Sequence, residues 1–63
     1  MTIQPVGESD FLLTLNREEL VLLNNALNEV CNGIDTWEFS SRLGSDRDAA
    51  LQIMNQIGKA LSA

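Results

Sequence analysis

Sixty-three residues with nine acidic and four basic side chains carry a formal charge of −5, no histidine, no tyrosine and a single cysteine. A chain this short buries only roughly 60% of the surface it exposes when unfolded, so one small domain of marginal stability is expected. Cys31 alone cannot form an internal disulfide, and a structural zinc site lacks its four N/S ligands, which leaves self-association as the expected support. The negative charge also opposes general attraction to phosphate backbones or anionic membranes.

Along the chain, Met1-Thr2-Ile3-Gln4-Pro5 leads into no long apolar run. Neither a signal peptide nor a transmembrane span is expected, and the cytoplasm is the default compartment. A lone reduced thiol fits that setting. Phe11-Leu12-Leu13-Thr14-Leu15 is apolar and strand-length, and Gly7-Glu8-Ser9-Asp10 before it is a turn signal. Thr2 to Val6 supplies a second arm, with Pro5 confining it to a sheet edge. A two-stranded hairpin is marginal in water. It is therefore expected to lie across the helices that follow or beside a second copy of itself.

The helices are announced by capping chemistry. Asn16 and Glu19 have the spacing of a capping box, and Leu15 and Leu20 that of a hydrophobic staple. The first helix is expected over residues 17–32, with Gly33 as a left-handed stop. Asp35 and Glu38 repeat the box and Ile34 and Phe39 the staple, starting a short helix over 36–43 that ends at Gly44. Ser45 then caps a third helix over 46–61, with Asp46 and Asp48 complementing the dipole of its first turn. The fold class is thus mainly α: a single three-helix domain over residues 1–63, with a short strand or hairpin within 2–15. Its expected core is Leu13, Leu15, Leu20, Leu23, Leu27, Val30, Phe39, Leu43, Ile53, Ile57 and Leu61.

The first helix carries four asparagines, and at about 100° per residue most of them fall on its solvated side. Asn24 and Asn28, one turn apart, are the pair best placed to reach a partner. Val21 projects among the polar residues and Leu22 lies at the boundary of the apolar face. In the third helix Ala50, Ile53, Met54, Ile57 and Leu61 share a face.

Catalytic equipment is sparse. Cys31 sits in the last turn of the first helix, where the negative dipole end disfavours a thiolate. Ser40 and Ser41 have no base, and no phosphate-binding glycine loop occurs. Asp46-Arg47-Asp48 lacks the further oxygen ligands of a calcium loop. No enzyme activity, cofactor or metal is expected. Trp37 points away from Phe39 and Leu43 and serves either to pack on a neighbouring segment or to anchor an interface.

Residues 39–50, Phe-Ser-Ser-Arg-Leu-Gly-Ser-Asp-Arg-Asp-Ala-Ala, resemble the helix-turn-helix pattern, with Gly44 at the turn. That resemblance implies DNA contacts from Arg42, Arg47 and Gln52. It departs at Ser45, where the pattern is usually apolar, and Asp46 and Asp48 would be repelled by phosphates. The Asn24–Val30 segment together with Glu38–Gly44 also resembles small uncharacterised bacterial proteins, which implies no particular activity.

The expected function is therefore non-enzymatic protein–protein interaction, beginning with a homodimer. Two seams are open: the strand edge around Phe11 and Leu12, or a helical seam using Val21, Leu22, Trp37 and Leu51. The alternatives are the DNA-binding reading and an acidic antitoxin-like or immunity-like partner of a basic protein. No membrane or small-molecule partner is expected.

Overall fold

Two strands and three helices follow one another as β1 (Thr2–Val6), β2 (Asp10–Thr14), α1 (Arg17–Gly33), α2 (Thr36–Leu43) and α3 (Arg47–Ser62). The computed structural model describes all residues from Met1 to Ala63. The fold is mainly α with an N-terminal antiparallel hairpin. Gly7, at φ 69°, supplies the left-handed residue of the hairpin turn. The register pairs Thr2 with Thr14, Ile3 with Leu13, Gln4 with Leu12, Pro5 with Phe11 and Val6 with Asp10.

At the start of α1 the capping box forms in full. The Glu19 N–H donates to Asn16 Oδ1 at 2.8 Å, and the Asn16 N–H donates to Glu19 Oε1 at 3.0 Å. The Met1 ammonium lies 3.0 Å from Glu19 Oε2. Chiefly the Asn16 N–H, and then the Met1 ammonium, hold the Glu19 carboxyl below its ordinary value of 4.5. A carboxyl whose pKa is depressed by folding stabilises the fold above its unfolded value and loses that contribution as pH falls through the folded one. Thermal midpoints should therefore drop as pH is lowered below 4.5, and Glu19→Gln should drop less over the same range. Parallel acid limbs for the two proteins would mean that other carboxyls govern it.

The other helix ends depart from expectation in three places. Helix α1 continues through Gly33, whose φ is not positive, and stops because Ile34 turns extended at φ −110°, ψ 131°. At α2, Asp35 makes no side-chain cap; the Glu38 N–H, which the box would direct to the Asp35 carboxylate, donates instead to the Asp35 backbone carbonyl at 3.0 Å. At α3 the cap is Asp46 rather than Ser45, its Oδ1 accepting the Ala49 N–H at 2.8 Å. The charged carboxylate makes the stronger bond of the two adjacent candidates. Gly44 does end α2 in the left-handed conformation, at φ 75°.

Helices α1 and α3 pack against each other and run antiparallel, each pinned to the other's far end by an arginine. Arg47, first in α3, donates from Nε to the Cys31 carbonyl at 2.7 Å; Arg17, first in α1, donates from Nη2 to the Leu61 carbonyl at 3.0 Å. Both carbonyls lie in last turns, where no intrahelical N–H reaches them. Both guanidiniums also meet the negative dipole ends.

Only Cys31 and Phe39 are buried, at 2% and 1% exposure. Leu15, Leu20, Leu27, Val30, Ile57 and Leu61 are half-buried, but Leu13, Leu23, Leu43 and Ile53, expected in the core, are exposed. The reason is that the hairpin does not lie across the helices: neither strand packs against any of them. The helical layer therefore lacks a second layer. The molecule is a slab of 32 × 30 × 16 Å. Its radius of gyration is 13.0 Å, against about 10.6 Å for a compact chain of this length.

Candidate interaction surfaces

Residues opposed across a sheet share a face. Ile3, Pro5, Phe11 and Leu13 therefore form one wholly apolar side of the hairpin, while Thr2, Gln4, Asp10 and Thr14 lie on the other with Val6 and Leu12. All ten strand residues are exposed, Phe11 at 65%. A wholly apolar face backed by a mixed one is the pattern of a sheet with one covered face. Nothing within the chain covers it.

The two strand edges differ. Pro5 has no N–H, so the ladder through Val6 and Asp10 makes Pro5 and Phe11 a non-hydrogen-bonded pair. By alternation, Val6–Asp10, Gln4–Leu12 and Thr2–Thr14 exchange the ladder bonds. The groups pointing outward then belong to Ile3 and Pro5 on β1, and to Phe11 and Leu13 on β2. Proline leaves a gap in the β1 edge. The β2 edge keeps every donor and acceptor.

The α1–α3 layer also has two unlike sides. On one, an open groove of ≈ 820 Å³ is lined mainly by Asn24, Asn25, Asn28, Asn55, Lys59 and Ser62. On the other, Leu23 lies about 140° around α1 from Asn28, and Ile53 about 160° around α3 from Asn55. Leu23 and Ile53 are both exposed there. The asparagines are thus mostly the wet side, with one correction. Asn24 is half-buried, and its Oδ1 is shielded without a hydrogen-bond partner. Its position about 40° from Leu20 puts it inside the buried arc. Asn28 is engaged by its neighbour: Asn32 Nδ2 donates to the Asn28 carbonyl at 2.9 Å and to Oδ1 at 3.0 Å. Asn24→Leu should raise stability by about 1 kcal/mol, because a shielded acceptor without a donor costs about 1–3 kcal/mol. A lower denaturation midpoint in the variant would show that Asn24 is satisfied in solution.

The residues expected to form a helical seam are spread over all three helices. Trp37 stands in solvent at 78% exposure and packs on no neighbouring segment. Leu22 is exposed, Val21 lies about 100° from it around α1, and Leu51 is half-buried on the inner side of α3. Of the residues implied by the helix-turn-helix resemblance, Arg42 and Gln52 are exposed, but Arg47 is half-buried and bonded to Cys31. Arg47 therefore has a structural partner that a phosphate would have to displace.

Cys31, in the last turn of α1, is a free, buried thiol. No group of three His, Cys, Asp or Glu side chains is placed to hold a metal ion, and no helix is long and apolar enough to cross a membrane. In comparison with known proteins, no family model, curated protein or solved structure matches this chain.

Proposed function

We propose that this chain is a non-enzymatic protein–protein interaction module whose first partner is a second copy of itself. The observation that carries this reading is the surface left uncovered. The chain exposes 5068 Å², whereas a folded monomer of 6.9 kDa exposes roughly 4,000 Å². An excess of about 1,000 Å² per copy gives about 2,000 Å² for a pair, the size of an obligate homodimer interface. The excess is apolar in kind: twelve large hydrophobic side chains are exposed, and six of them lie in residues 1–13. Sedimentation equilibrium across a wide concentration range tests the reading. A dimer persisting to sub-micromolar protein is expected; a monomer at every concentration would overturn it.

A further inference from the structure

We infer that two copies join through their β2 strands, antiparallel about a two-fold axis at Leu12, to make a four-stranded sheet ordered β1-β2-β2-β1. This rests on the proposed homodimer and names its seam.

Three observations lead there. First, an intact strand edge invites another chain and is normally blunted by proline, lysine, a bulge or a covering element. Pro5 blunts β1 in this way. From Phe11 to Thr14, β2 has no charge, no proline and nothing packed over it.

Second, β2 is complementary to its own copy. A two-fold axis normal to the sheet preserves the face on which each side chain lies, so only pairings of residues with the same parity are allowed. Centring the axis on Leu12 overlaps the whole strand, setting Phe11 against Leu13 of the second copy and Asp10 against Thr14. The outward N–H and C=O groups of Phe11 and Leu13 then meet their counterparts, and no like charges face each other across the strands. The apolar faces of the two hairpins merge, with each Phe11 packed beside a Leu13 of the other copy. A hairpin too small to be stable alone becomes the centre of a larger sheet.

Third, the alternative edge fails on chemistry. A β1–β1 seam would leave the Pro5 position without its donor, and so one carbonyl of the second copy without a partner. The helical flank with Leu23 and Ile53 has no comparable row of directional groups.

The two Leu12 Cα atoms at a non-hydrogen-bonded position on the axis would lie about 4.5 Å apart, within disulfide range. Leu12→Cys, oxidised with glutathione disulfide, is expected to give a covalent dimer. Gln4→Cys, its register partner on β1, should not, and the wild type, whose Cys31 is buried, should remain uncross-linked. As a second test, Leu13→Pro should remove an outward N–H from β2 and weaken the dimer at least ~100-fold. Ile3→Pro, opposite it on the same apolar face, should weaken it much less. A sedimenting dimer in which Leu12→Cys stays reduced and both proline variants behave alike would overturn the β2 seam while leaving self-association standing. Cross-linking through Gln4→Cys in place of Leu12→Cys would overturn it in favour of β1. A monomer in sedimentation would remove both the seam and the homodimer.

Discussion

Phe39→Ala should unfold most of the protein at room temperature, read as loss of the helical circular dichroism signal and of any cooperative thermal transition. Phe39 is the largest fully buried side chain, at 1% exposure. Truncating a buried phenylalanine costs about 3–5 kcal/mol. A domain of this length has roughly 3–9 kcal/mol in total. The effect is large because so little else is buried: Cys31 is the one other residue with a comparable environment. Leu43→Ala is the matched control on the same helix. Leu43 is exposed, and its loss should move the midpoint only slightly. A Phe39→Ala protein melting within a few degrees of wild type would mean that α2 is dispensable to the α1–α3 pair.

Phe11→Asp is expected to abolish self-association while leaving the helices folded. Phe11 occupies the centre of the apolar hairpin face and is exposed in the single chain, so the substitution costs the isolated chain little. At the seam it removes the two cross-strand Phe11–Leu13 pairs of the dimer, each worth about 0.2–1 kcal/mol, and places a carboxylate beside Leu13 of each second copy, where it must be partly desolvated. Together these should raise the dimer dissociation constant by about 100-fold or more, that is at least ~2.7 kcal/mol. The accompanying signature is the thermal midpoint, which should rise with protein concentration in the wild type and become independent of it in Phe11→Asp. Trp37→Ala separates the hairpin seam from a helical one. Trp37 lies on α2, which joins the C-terminal end of α1 to the start of α3, whereas the hairpin leads into the opposite end of α1. The 17 residues of α1 separate those ends by about 25 Å. Trp37→Ala should therefore leave the dimer constant unchanged. If Trp37→Ala dissociates the dimer and Phe11→Asp does not, the interface is helical.

How legible the molecule was depended on the reach of each interaction. Asn16 with Glu19, Asp46 with Ala49, and the left-handed Gly44 act over three or four residues. The amino-acid order therefore determined where the helices start and stop to within one or two positions. The misses at these ends, Gly33, Asp35 and Ser45, are choices between adjacent groups competing for the same orphan N–H or carbonyl. The hairpin was also legible, since its turn residues and its short apolar run are local signals.

What lies against what was not. Leu13, Leu23 and Ile53 carry the apolar pattern of core residues, and periodicity alone cannot say whether the covering surface belongs to the same chain. The hairpin standing clear of the helices answers that question for the single chain: nothing within it covers them. No local pattern marks Arg17 or Arg47 as a tie between helices; the antiparallel packing of α1 and α3 brings each to the other helix's last turn. The helical projection sets Asn24 beside the buried arc, but only the folded chain shows that its Oδ1 is shielded without a donor. Pro5 marked an edge from the start. Only the pairing register, with Pro5 opposite Phe11, decided that β1 is the blunted edge and β2 the open one. Short-range hydrogen bonding is written in neighbouring residues. Packing partners are chosen by the whole chain at once, through contacts that no local pattern encodes.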